Sequence, residues 1–193
     1  DLEVYAEWRE SKATITFNTA NNGGTVKPSG AQENVPVLTG SVSSTATVSP
    51  GYVFAGWWDG SKRITATSGN VYVSSDGLTL YVKGSASSPL ESKTYTANFT
   101  GKDITLKWNS DGGSAVADTK QKYTSTSKVI LPTTEPTRDG YDFAGWFTEA
   151  EGGTQVKANT VALPTSDKEY FAHWTARTIT VKWNYDDQET WGI

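Results

Sequence analysis

The sequence predicts a mainly β chain, α+β at most, built from two small modules set in tandem in an elongated arrangement. Three observations predict this: a core that has to be made from rings and β-branched residues, short runs of alternating apolar and polar residues, and a long internal repeat. Aromatic residues make up 12% of the chain, while Cys and Met are absent. That mixture packs on a pleated sheet more readily than along a helix stripe. The repeat is the sharpest of the three signals. Gly51-Tyr52-Val53-Phe54-Ala55-Gly56-Trp57 returns as Gly140-Tyr141-Asp142-Phe143-Ala144-Gly145-Trp146, six identities in seven positions at an offset of 89 residues.

The elements follow from laying the chain on itself. Residues 1–11 contain Leu2-Glu3-Val4-Tyr5-Ala6-Glu7-Trp8, which reads as the closing strand of a preceding repeat. Residues 12–101 form the first module. It opens with Ile15-Thr16-Phe17-Asn18, turns at Gly23-Gly24, passes through the aromatic motif and closes with Tyr95-Thr96-Ala97-Asn98-Phe99. Residues 102–176 form the second. It opens with Ile104-Thr105-Leu106-Lys107-Trp108-Asn109, turns at Gly112-Gly113 and closes with Tyr170-Phe171-Ala172-His173-Trp174. Residues 177–193 contain Ile179-Thr180-Val181-Lys182-Trp183-Asn184, the opening strand of a following repeat. The opening runs alternate as strands with one buried face do, and Asp111-Gly112-Gly113 marks a hairpin.

Within the motif, Tyr and Phe stand at alternate positions and a glycine precedes the Trp, the signature of a core strand with a bulge. Pro132 and Pro136 push their predecessors toward extended geometry, so residues 131–137 should cross irregularly. Residues 156–163 could make one or two helical turns before Pro164 ends them. From motif Trp to closing aromatic the first module runs 42 residues and the second 28. The first therefore carries 14 more, placed within residues 61–92 and expected to be surface loop, since loop-closure entropy grows only logarithmically with length.

The run from Ile104 to Trp174, with its opening ITLKWNSDGG, central PTRDGYDFAGW, EGGT at residues 151–154 and closing YFAHW, closely resembles the internalin-type B repeat, also called the Listeria/Bacteroides repeat. Residues 13–100 resemble a divergent relative, through GTVKPSG, ATVSPGYVFAGW and YTANF. The resemblance implies a β-grasp, ubiquitin-like fold. It implies repeats in extracellular proteins, mainly of Gram-positive bacteria, that form stalks between a head and the cell wall. It brings no catalytic residue and no cofactor.

The chemistry agrees with that reading. Without cysteine there is no thiol nucleophile, thiolate metal site or disulfide. The net charge of −4 comes from 21 acids and 17 bases without long runs, so the basic footprint of a nucleic-acid binder is missing. No stretch approaches the roughly 18 to 20 apolar residues of a membrane span. His173, the single histidine, has no clustered partners and reads as a strand residue. Glu149 with Glu151, and Asp186 with Asp187, read as turn acids rather than a glycosidase pair. The glycine pairs read as turns, not phosphate cradles.

Trp58 and Trp191 fall beside the alternating pattern. For Trp58 two readings stand: packing, because Phe147 takes its place in the second copy, and stacking on a sugar ring, with Asp59 and Lys62 bonding hydroxyls. The expected function is a non-catalytic stalk or spacer of a bacterial cell-surface protein, monomeric, with neighbouring repeats of the same chain as partners. A carbohydrate- or host-protein-binding module, with Trp58, Asp59 and Lys62 as its site, is the alternative.

Overall fold

The computed structural model describes residues 2–65 and 69–183. Among them there is no helix, and the chain is a succession of strands: β1 (Lys12–Thr19), β2 (Gly24–Lys27), β3 (Gly30–Pro36), β4 (Ser41–Val48), β5 (Tyr52–Asp59), β6 (Lys62–Ile64), β7 (Val71–Val73), β8 (Thr79–Lys83), β9 (Lys93–Gly101), β10 (Asp103–Asn109), β11 (Thr119–Lys122), β12 (Tyr141–Phe147) and β13 (Lys168–Ala176). The mainly β expectation holds. The helix that a β-grasp lays across its sheet is not present among the described residues. Residues 156–163 form a single turn, closed by the Thr160 N–H on the Lys157 carbonyl. Thr160 and Val161, whose side chains crowd a helix, and Pro164, which cannot continue one, explain the missing turns.

Both modules share a mixed sheet whose central pair is parallel. In the first the order is β3-β1-β9-β5-β6, with β1 and β9 parallel; in the second it is β11-β10-β13-β12, with β10 and β13 parallel. Opening and closing segments therefore lie side by side in the sheet middle. Their inward residues are buried: Ala13, Ile15 and Phe17 against Tyr95, Ala97 and Phe99, and Ile104, Leu106 and Trp108 against Tyr170 and Ala172. Phe17 sits opposite Tyr95, and Trp108 opposite Tyr170. The two opening strands thus correspond at an offset of 91 residues, two more than the motif. A two-residue slip keeps every side chain on its own face of a strand, which is why the sequence alignment by Ile15 and Ile104 showed the right alternation with the wrong partners.

Each module is organised by a column of five rings. In the second, Trp108 stacks on Tyr170 at 5.2 Å and meets Trp146 edge-on at 5.0 Å; Phe143 then meets Trp146 at 5.4 Å and Trp174 at 5.6 Å. In the first, the same column runs Tyr95, Phe17, Trp57, Phe54, Phe99, at 5.5 to 6.3 Å. Such edge-to-face pairs add roughly 0.5 to 1.5 kcal/mol each beyond the area they bury. The expected bulge is there in both: register slips between Phe54 and Gly56 and between Phe143 and Gly145, with φ of +119° and +121° at the two glycines. That backbone places Phe and Trp three residues apart on one face, and only glycine adopts it without strain.

The glycine pairs do more than turn. A Cβ on Gly113 would lie 2.3 Å from the Trp174 ring, and one on Gly23 or Gly24 would lie 2.4 Å from Phe99. They make room for the closing aromatic. Trp174 in turn donates its indole N–H to the Ser110 carbonyl at 3.0 Å.

The modules differ in what lies over the column. In the first a second sheet, β2-β4-β8-β7, contributes Val26, Ala46, Leu80, Val82 and Val71 to the core, and the Trp57 indole donates to the Leu78 carbonyl at 3.0 Å. The extra length is thus not surface loop: it supplies β7 and β8, whose Leu80 and Val82 are wholly buried. The alternation in Thr79-Leu80-Tyr81-Val82-Lys83 is the signal, and the neighbouring Gly and Ser masked it. In the second module Pro132 and Pro136 deny the corresponding segment its ladder donors. The irregular crossing expected between Pro132 and Pro136 is there and is longer, over residues 123–140, and it drops Val129 into the core. Gln121 holds that crossing, accepting from the Ile130 N–H and donating to the Lys128 carbonyl.

Residues 2–11 and 177–183 carry no strand, and Leu2, Val4, Tyr5, Trp8, Ile179, Val181 and Trp183 are exposed. Asn184, Asp186, Asp187 and Trp191 lie outside the described residues.

Candidate functional site

Two places combine polar chemistry with shape: a cleft in the first module and the junction between modules. The cleft, of about 440 Å³, opens between the β5–β6 hairpin and residues 88–91. Asp59, Lys62, Glu91 and Lys93 ring it, and Tyr95 forms part of its wall. Lys93 and Asp59 make an ion pair at 2.7 Å with both side chains part-exposed, a pairing worth little to stability in water. Burial, reinforced by the nearby Asp59 carboxylate, pushes the Tyr95 hydroxyl up to about 12, so it stays a neutral donor and acceptor.

Of the three residues singled out by sequence, the structure brings two together. Asp59 pairs with Lys62 in the β5–β6 register and both line the cleft. Trp58 does not line it, because neighbouring residues of a strand face opposite ways. Asp59 sits opposite Tyr95 at the edge of the core face, and Trp58 sits opposite Thr96 on the outer face of the sheet. Its ring is half-buried and its indole nitrogen is covered with no hydrogen-bond partner. The equivalent Phe147 stacks on His173 with ring centres 3.8 Å apart and nearly parallel. His173 therefore occupies the outer face, where alternation puts it, with Nε2 at 3.0 Å from the Glu149 carbonyl. Glu149 and Glu151 are exposed in a turn. Among the described residues no group of three or more His, Asp or Glu is placed to hold a metal ion, and no helix is long and apolar enough to cross a membrane.

At the junction β9 ends at Gly101 and β10 starts at Asp103, leaving Lys102 alone between modules. The Lys102 N–H donates back to Gly51 at 2.8 Å, and its carbonyl accepts from Tyr123 ahead at 2.9 Å. Tyr52 of the first module meets Tyr123 of the second edge-on at 5.3 Å, and its hydroxyl accepts the Ser125 N–H at 3.1 Å. Sequence reasoning divided the modules between Gly101 and Lys102 and missed the tyrosine contact. The recurrence of Tyr after the motif glycine was its one visible sign.

Comparison with known proteins points one way. The pattern of the Listeria-Bacteroides repeat domain matches residues 14–83 and again 95–173. Internalin H of Listeria monocytogenes is 30% identical over 131 residues, covering 68% of this chain and 20% of that protein. Two proteins of Evansella cellulosilytica, one named a membrane protein and the other a Gly-rich membrane protein, are 25% and 27% identical. Those alignments cover 93% and 94% of this chain and 24% and 18% of the relatives. The chain thus spans less than a quarter of the length of the relatives it matches.

Proposed function

The chain belongs to the Listeria-Bacteroides repeat domain family, and from that premise we propose that its two modules are non-catalytic spacers in the extracellular part of a bacterial cell-surface protein. The observation that carries this reading is the junction. Two separate hydrophobic clusters, one within residues 13–99 and one within 104–172, are joined by a single residue and braced by Tyr52 and Tyr123. A chain that only linked two binding units would gain nothing from so short and so packed a connection; a spacer gains stiffness. Neighbouring repeats of the same chain are its partners in this reading. Small-angle scattering from the intact chain tests it: an elongated particle with restricted bending is expected, and a compact globule of the same mass would defeat the proposal.

The cleft favours a second reading, a module that binds a host glycan or a host protein through Asp59 and Lys62. Its walls are polar and charged, and the insertion that builds β7 and β8 also builds one side of it. Binding on a glycan array that vanishes in Lys62→Ala, while the melting curve stays in place, would establish this role. Binding that vanishes only in Trp58→Ala would move the site to the outer face of the sheet.

A further inference from the structure

The junction holds more than a short linker. Phe99, the closing aromatic, and Ile104, the first core residue of the next strand, are five residues apart, and the sequence repeats that spacing at Trp8 and Ala13 and at Trp174 and Ile179, where Trp8 and Ile179 are exposed. Within that constant frame the third residue differs, being Glu10, Gly101 and Ala176 in turn. Only the junction between the two modules has glycine there. A Cβ on Gly101 would lie 1.8 Å from the Tyr123 carbonyl oxygen, and one on Gly51 would lie 2.4 Å from the Tyr123 ring. The second module thus seats its Tyr123 backbone in space that a side chain on Gly101 would occupy.

Glu10 shows what happens otherwise. The Val37 N–H bonds the Ser11 carbonyl as the Tyr123 N–H bonds that of Lys102, so the two loops that follow correspond, with Thr39 in the place of Ser125. The Glu10 carboxylate accepts from the Leu38 N–H and, at 2.9 Å, from the Thr39 N–H. These bonds hold its carboxyl below the ordinary range. The Val37 carbonyl meanwhile turns away to accept the Leu90 N–H at 2.8 Å. At position 10 the Glu10 side chain itself satisfies the loop. Where glycine stands, the loop is satisfied by Tyr52 of the preceding module. After the second module, the Arg177 N–H donates to the Gly140 carbonyl at 2.8 Å as Lys102 does to Gly51.

We infer that the junction is a locked joint, in which Gly101 lets Tyr123 and Ser125 close on Gly51 and Tyr52 and so fixes one angle between the modules, and that a side chain at position 101 converts the joint to a hinge. The inference rests on the spacer reading and specifies it: the residue at position 101 sets the stiffness of the joint between these two modules. The joint is an angle-setting device, with no ligand and no chemistry of its own.

The test is nitrogen relaxation and amide exchange on the intact chain, comparing the parent with Gly101→Ala and Tyr52→Phe. In the parent both modules should tumble as one body, with the Ser125 amide protected. Gly101→Ala should give the modules separate, shorter tumbling times and release the Ser125 amide. Tyr52→Phe, which removes one neutral hydrogen bond, should speed its exchange about fivefold. Separate tumbling in the parent, or a single tumbling time retained in Gly101→Ala, would overturn the lock. If Gly101→Ala unfolds a module, the decision passes to Tyr52→Phe: an unchanged Ser125 amide overturns the lock and a faster one upholds it. Scattering separates this from the spacer reading, since a freely bending but extended chain defeats the lock alone and a collapsed globule defeats both.

Discussion

The two modules wrap the same five-ring column in different ways. The first covers it with a second sheet and buries fourteen apolar residues; the second covers it with proline-bearing irregular chain and buries nine, counted among the described residues. The invariant part is the parallel opening and closing strands, the bulged motif strand and the glycines that admit the rings. The cover varies because it has only to be apolar and to satisfy its own backbone. β4 does so by pairing with β2 and β8, and residues 123–140 do so through Gln121 and the Val129 N–H on the Val161 carbonyl. The two modules of this chain thus share the column and differ in the cover.

The comparison can be broken most severely at the column. Trp57→Ala and Trp146→Ala should each cost about 3 to 5 kcal/mol, since both rings are buried. Each should lower one of two calorimetric transitions. A substitution that lowered both equally would mean one cooperative interior and would sink the two-column description. The cover of the first module comes next. Leu80→Ala should cost about 2 to 5 kcal/mol, against the half kcal/mol or less expected of a surface loop residue, as read from urea midpoints.

Smaller effects sharpen the difference between the covers. Ser43 is the position that Pro132 occupies in the second module, and it faces Tyr81 in the ladder. The bonded pair beside it is Val42 with Val82, in step with the Gly84 N–H on the Gly40 carbonyl and the Ala46 N–H on the Leu78 carbonyl. Val42→Pro should therefore loosen the second sheet by about 1 to 3 kcal/mol through one unmade bond, visible as faster amide exchange in β8. In the second module Pro132→Ser should cost only about 0.4 to 1 kcal/mol, mainly by loosening the unfolded chain.

The mildest contrast is with alkali. A tyrosine ionises near 10 when unfolded, whereas Tyr95 is raised to about 12 and Tyr170 is raised by burial alone. The folded state thus keeps protons that the unfolded state releases, so stability intact below pH 10 is lost as pH rises toward 12. Asp59 adds to the shift at Tyr95 and has no counterpart at Tyr170, so the first module should fall further. Tyr95→Phe should flatten its decline in melts taken at pH 9 and 11.5.

How much was legible in the sequence can be argued residue by residue. The motif strand, its bulge at Gly56 and Gly145, the opening and closing strands of the two modules, the turn around Gly112 and the irregular crossing at Pro132 all announced themselves, because each depends on local chemistry: alternation, a glycine φ, a missing proline N–H. The tight hairpin expected at Gly112 did not form, since β10's antiparallel partner β11 begins only at Thr119. β4, β7 and β8 did not. Ser41-Val42-Ser43-Ser44-Thr45-Ala46-Thr47-Val48 is polar enough to pass for loop, and it becomes a central strand only because β2 and β8 lie on either side of it. At the candidate site, strand alternation alone would have separated Trp58 from Asp59; the sequence reading grouped them by adjacency. The cleft needed tertiary contacts to exist at all.

By itself the sequence determined that there are two modules, which opening, motif and closing strands build them and where Gly56 and Gly145 bulge the motif, since period-two burial and positive φ are properties of a few consecutive residues. Only the tertiary structure decided the true register of the opening strands, the second sheet and the contact of Tyr52 with Tyr123. Those depend on which segments meet across distances in the chain that no local preference encodes, and a slip of two residues is invisible until a partner strand fixes it.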